Sequence, residues 1–188
     1  MATSTHRQRK AIGIALATSI LFASVGVGLM VASGGASADV TMGDLAIDDH
    51  NSTVGGDVSE VTLATTLGYA QDVPDATRRI VRVSVGPSED ELETLAFRQE
   101  RDPSGTASGE VELSGDLISD GPFTTDDFDP ALASSTSTTV VVQAQIEVHR
   151  ENGDPVTHML TDTATVTLSD DAELTVDLGG SGSFEVET

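Results

Sequence analysis

The chain is predicted to be all-β, folded as an antiparallel β-sandwich behind one N-terminal hydrophobic helix. Three observations lead there. Beyond position 38, apolar residues recur at every second position, the repeat of a strand with one buried face. Turn signals rich in Gly, Pro, Asn and Asp cut these runs into short pieces. A single uncharged run, Ala11 to Ala32, precedes them all.

That run follows Arg7, Arg9 and Lys10 and is 22 residues long, where about 20 helical residues cross a bilayer. The basic flank keeps the N-terminus in the cytoplasm and sends the remainder outside. Small residues follow, and Ala36-Ser37-Ala38 fits the A-x-A rule for signal peptidase, with cleavage between Ala38 and Asp39. Residues 1–38 therefore read as a signal peptide or an N-terminal membrane anchor, held in the membrane through residues 11–32 if uncleaved. A third reading is a pilin-like leader cut near Lys10. Residues 39–188 form an exported acidic domain, extracellular or at the cell surface. Arg7-Gln8-Arg9 is not a twin arginine, and with no cysteine in the chain a lipoprotein anchor and a disulfide framework are both excluded.

The strands of the domain can be taken in order. Val61, Leu63, Thr65, Leu67 and Tyr69 share one face, as do Val81, Val83 and Val85. Ser88 to Arg98 is ambiguous: Ser88 and Glu91 make a capping box ahead of Leu92 and Leu95, while Leu95 and Phe97 alternate with Thr94, Ala96 and Arg98 as in a strand. Val111 and Leu113 continue the alternation. From Thr138 to Val148 the even positions are mostly apolar and the odd ones polar, and Val156 to Leu168 returns with Ala164, Val166 and Leu168 on one face and threonines on the other. Asn152-Gly153 between them suits a type I′ hairpin turn. Leu174, Val176 and Leu178, then Phe184 and Val186, repeat the pattern. About seven to nine such strands describe an immunoglobulin-like sandwich, of a size that buries enough core to stand without disulfides.

Charge sets the environment. All 31 acidic residues lie beyond position 38, against six arginines and no lysine there, so residues 39–188 carry −25. Such self-repulsion destabilises a compact state unless salt screens it, and at molar salt the Debye length falls to about 3 Å. Short carboxylates in place of lysine stems also remove apolar surface that brine makes adhesive. In this respect the sequence resembles exported proteins of extremely halophilic archaea. A surface of this sign argues against nucleic-acid binding, although Arg78, Arg79 and Arg82 form one basic group; pairing with surface carboxylates is expected of them.

Catalytic signatures are missing: the chain has no cysteine, no G-x-S-x-G, no H-E-x-x-H and no phosphate-binding glycine loop. A non-enzymatic protein without a cofactor is expected. His149 and His158 flank the Asn152-Gly153 turn and read as polar residues of a hairpin mouth; the alternative is a metal site with Glu151 or Asp154. Asp116, Asp120, Asp126, Asp127 and Asp129 form the densest acidic cluster. Their turn-rich setting suits either solvated surface or a calcium site, since carboxylates converging with loop carbonyls hold a hard cation. Phe123 and Phe128 are expected to pin that loop to the core. Asn51-Ser52-Thr53 is an N-glycosylation sequon placed in a turn on the exported side.

Two terminal segments suit assembly. Asp39 to Ile47 is strand-like, and Phe184 to Thr188 is another, tethered by Gly179-Gly180-Ser181-Gly182-Ser183. A terminal strand can add to a neighbour's open sheet edge, or simply close its own sandwich. Leader, small Thr-rich sandwich and no active site together are similar in layout to the fibre and bundling-pilus subunits of the TasA and camelysin type, which implies self-assembly through terminal strands. The sequence thus reads as a non-catalytic, exported structural or adhesive surface protein, with a filament subunit as its specific form. The alternatives are a ligand- or cation-binding accessory module of a membrane complex and a secreted enzyme of unrecognised type.

Overall fold

A computed structural model describes residues 12–17, 38–55 and 57–170. Their elements are β1 (Ile12–Ala17), β2 (Asp39–Met42), β3 (His50–Val54), β4 (Val58–Asp72), β5 (Ala76–Gly86), β6 (Glu93–Arg101), β7 (Thr106–Asp116), α1 (Thr125–Phe128), β8 (Ser135–Arg150) and β9 (Val156–Asp170). They form a β-sandwich. One sheet is built around β4, with β7 on one edge and β1 and β2 sharing the other; the second runs β3-β9-β8-β5-β6. Two pairings, β1 with β4 and β3 with β9, are parallel, and the rest are antiparallel.

The alternation predicts the buried faces. Val61, Leu63, Thr65 and Leu67 of β4 with Val111 and Leu113 of β7 form one inner face, opposed by Val81, Val83 and Val85 of β5, Ala144, Ile146 and Val148 of β8, and Ala164, Val166 and Leu168 of β9. This core is almost entirely branched aliphatic, as suits pleated surfaces packed face to face. Phe123 and Phe128 plug one end, buried with ring centroids 5.4 Å apart, and α1 is the single helical turn that brings Phe128 there.

Several expectations are corrected. Ile12–Ala17, expected within the hydrophobic helix, is a strand: Ile12, Ile14 and Leu16 alternate with Gly13, Ala15 and Ala17, so the segment satisfies a two-residue period and pairs with β4. Residues 18–32 of that run lie outside the described residues, as do Leu174 to Leu178 and Phe184 to Thr188. Among the described residues no helix is long and apolar enough to cross a membrane. Ser88 and Glu91 do meet, Ser88 Oγ 3.3 Å from Glu91 Oε2, but they close a turn ahead of a strand, β6, and start no helix. The β8–β9 turn is not type I′: Gly153 has φ +103° whereas Asn152 stays negative, and the longer loop through Pro155 removes the need for two left-handed residues. Asn51 is not in a turn but in β3, an edge strand, with its side chain exposed.

Ile146 and Gln145 test the register of β8, because the first is sealed between the sheets and the second faces out. Ile146→Ala is expected to destabilise by about 2–5 kcal/mol through the cavity it leaves, and Gln145→Ala by under about 0.5 kcal/mol. Chemical denaturation in molar salt measures both, and equal effects would refute the register.

Candidate functional site

The predicted acidic cluster is built of two separate motifs. Asp116, at the end of β7, spends its carboxylate on backbone: Oδ1 accepts from the N–H groups of Val61 at 2.9 Å and Ile118 at 3.2 Å, and Oδ2 from that of Ser119 at 3.2 Å. Asp120 Oδ2 accepts from the Asp116 N–H in the same turn. Asp127 caps α1, with Oδ2 2.7 Å from the Thr124 N and 2.8 Å from Thr124 Oγ1. Asp126 sits in the first turn of α1, and Asp129 ends it by donating its N–H to the Thr125 carbonyl. Among the described residues no three His, Asp or Glu side chains gather as metal ligands. The sequence reveals the density of carboxylates but not that turn and cap geometry engages them first.

Strand parity also separates the two histidines. His158 pairs with Ile146, on the inner face of the five-stranded sheet, whereas His149 lies on the outer face beside Arg78. They cannot share an ion. His149 Nε2 lies 2.8 Å from both Arg78 Nη2 and Glu147 Oε1.

A polar centre that the sequence did not disclose ties the two sheets together. Arg79, only 7% exposed, lies over the Tyr69 ring at 4.2 Å and donates from Nη1 to Gln71 Oε1 at 3.1 Å and from Nη2 to Glu100. Gln71 in turn donates from Nε2 to the Ser104 carbonyl at 2.6 Å. Burial of a guanidinium is tolerated when a carboxylate, an amide and an aromatic face surround it. A small cleft beside it is lined by Arg98, Glu100 and Glu110. Arg79 thus leaves the basic group suggested by the sequence, and only Arg78 and Arg82 remain on the outer face.

The most distinctive site is the divided edge of β4. β7 covers the other edge from Thr62 to Asp72. On the divided edge β2 pairs with residues 69–72, and Gly43 donates to the Gly68 carbonyl just beyond. Residues 58–64 pair there with β1. Their inward side chains, Val58, Val61 and Leu63, are fully buried, so this part of the strand is fixed by the core. Val61 turns its N–H and C=O toward Asp116 and Leu117 on the β7 side. By alternation, Thr62 presents its N–H to the side that β1 occupies.

The segment from Asp39 to Ile47 is engaged within its own domain. Val40 and Ile47 are buried, the Ile47 N–H donates to Asp162 Oδ2 at 2.8 Å, and Asp49 Oδ1 accepts from the Thr165 N–H at 2.7 Å. Ala38 and Asp39, the predicted cleavage point, stand at the entry to β2.

Neither the comparison with protein families nor that with curated proteins gives a match. Among the solved structures that match is one of murine CRIg, with a TM-score of 0.30 and 11% identity, covering 72% of this chain and 99% of that one.

Partial burial raises the pKa of Asp116, but the N–H groups of Val61, Ile118 and Ser119, with the Ser119 hydroxyl, outweigh it and hold the carboxyl below its ordinary 3.8. A folded-state value below the unfolded one means stability that is present above the unfolded pKa and lost as pH falls through the folded one. Asp116→Asn is therefore expected to cost about 1–2 kcal/mol at neutral pH. The gap from wild type should close as the pH drops below 3.8. Denaturation curves at fixed molar salt measure it, and a gap independent of pH would contradict the assignment.

Proposed function

We propose that the protein is a non-catalytic, exported structural component of a cell surface, which assembles by strand addition at the divided edge of β4. One observation carries this reading: on the divided edge, residues 58–63 pair with Ile12–Leu16, a segment of the apolar run that the sequence assigns to the leader. A leader cut before Asp39 leaves with β1, and one retained in the bilayer holds β1 there. In either case this stretch of an otherwise core-fixed strand loses its partner on that edge. An unpaired edge of that length is a template for another chain. Because Asp39–Ile47 closes its own sandwich, the strand to be donated is the other terminal one, Phe184 to Thr188 or the residues just before it, from a neighbouring copy. The basic flank before the apolar run and the −25 charge of residues 39–188 support export into concentrated salt.

Thr62→Pro removes the N–H that faces the open side and leaves the Val61 contacts with β7 in place. The protein purified from the cells that export it is expected to sediment as polymers in molar KCl, and the Thr62→Pro form as a smaller species with an unchanged β-type circular dichroism spectrum. A monomeric wild type, or a Thr62→Pro form that polymerises equally, would defeat the assembly reading.

Salt gives a second test. Lowering KCl to about 0.01 M extends the Debye length to about 30 Å and exposes the full repulsion of the carboxylates. The domain is expected to lose its β-spectrum there and regain it on return to molar salt. An unchanged melting temperature would remove the case for a brine-adapted protein.

A further inference from the structure

The six arginines of the domain are all on the five-stranded sheet, on β5, β6 and the end of β8. Two of them are in ion pairs, Arg79 with Glu100 and Arg150, whose Nε lies 2.9 Å from Asp75 Oδ1, and Arg98 lines the cleft beside Glu100. The other three, Arg78, Arg82 and Arg101, form no ion pair among the described residues. In a domain with 31 carboxylates this needs a reason, because an exposed arginine there has acidic residues on almost every side.

Register places these three on one surface. Arg78 pairs with Arg101 on one side and His149 on the other; four residues along, Arg82 pairs with Phe97 and Gln145, and Gln145 with Met159. Paired residues share a face, and it is the face opposite the buried Val81 and Ile146, so all of them point outward. Between these two rows lie Gln99, Ile80, Glu147 and Thr157. Glu147 is the one carboxylate in the three rows, and it is engaged by His149. Phe97 is 64% exposed and Met159 55%, two of the three large apolar side chains exposed among the described residues, and they flank Arg82 at the two ends of a single row. Arg82 makes only a 3.4 Å contact with the neutral Gln145 Oε1. Guanidinium groups with no carboxylate partner beside exposed apolar anchors are the composition of an interface centre.

The opposite outer face of the molecule is its complement. On the four-stranded sheet, Asp39 pairs with Asp72, Gly68 with Glu110 and Thr66 with Glu112, all outward by parity from the buried Val40, Leu67 and Val111. The strands β2, β4 and β7 contain no lysine or arginine. One chain therefore presents an arginine-bearing, partly apolar face and, behind it, one of small and polar residues whose charges on β2, β4 and β7 are all acidic.

We propose that the outer face of the five-stranded sheet, through Arg78, Arg82, Arg101, Phe97 and Met159, docks on the acidic outer face of the four-stranded sheet of a second copy. The contact is heterologous, so it propagates as a row of stacked sandwiches. In molar salt, charges beyond about 3 Å are screened. Phe97 and Met159 then supply the adhesion, which strong salt enhances, and the guanidinium–carboxylate contacts set which face meets which. This stacking uses sheet faces and is independent of strand addition at β4.

The test is a charge swap in the Thr62→Pro background, where the β4 edge is blocked. Each variant is expressed as the full chain, purified in molar KCl and checked for an unchanged β-spectrum. The parent is expected to show concentration-dependent sedimentation. Arg78→Glu/Arg82→Glu/Arg101→Glu and, separately, Glu110→Arg/Glu112→Arg should each weaken self-association by about tenfold or more, as should Phe97→Ser. Mixed together, the two charge-reversed proteins should co-sediment, because each now offers the face that the other lacks. Substituting Glu89→Arg/Asp90→Arg, in the loop before β6, should not replace the Glu110/Glu112 pair in that mixture. A monomeric parent, a triple arginine variant that associates as the parent does, or a mixture that stays monomeric would overturn the proposal. Should Thr62→Pro fail to block edge assembly, the strand-addition reading falls, while the swap pattern still decides the stacking.

Discussion

Backbone hydrogen bonding along β4 is the constraint on which the rest depends. This strand supplies most of one inner face, and its full length must be paired on both sides or stand exposed. On the β7 side the requirement is met by one continuous strand, extended at its end by the Asp116 carboxylate, which accepts the Val61 N–H and continues into the next turn. On the other side it is met by two pieces from the N-terminal region, with the Gly43 N–H reaching the Gly68 carbonyl just beyond β2. The carboxylate is thus part of sheet termination, and a cation at that position would compete with three backbone donors.

How much of this was legible in the sequence depends on distance along the chain. Faces are a local property, so the even positions of β8 and the odd positions of β4 were read correctly from alternation alone. Partners are not local. Nothing in His50–Val54 announces that it pairs in parallel with residues 166–170, and Arg79 reads like Arg78 until its strand turns one of them inward toward Tyr69. Ser88 to Arg98 shows the limit of short motifs: a capping-box pair is satisfied just as well by a turn, and the strand that follows gains a full ladder with β5, which outweighs one turn of helix.

The candidate sites divide along the same line. Counting Asp residues finds where carboxylates are dense, but their chemistry depends on whether loop geometry has already given them donors, and at Asp116 and Asp127 it has. The arginines invert this. By count they are negligible, and by placement they are the most organised charges on the molecule, because β5 and β6 carry five of the six and parity sorts those five into one buried, one at the cleft and three on the outer face. Two sheet surfaces of one small domain can in this way differ sharply in character although the overall charge is large and of one sign.

The pairing of the first strands with the last described one has a kinetic meaning. The Ile47 N–H meets Asp162, and Asn51 lies opposite Thr167, each across more than a hundred residues of chain. Contacts of such sequence separation form late, since the loop that closes them must be ordered first. The five-stranded sheet cannot be completed until the β8–β9 hairpin has formed, whereas β2, β4 and β7 can pair without it. The topology therefore withholds the final shape until the last described strand is in place, and only then are the first strands locked to it.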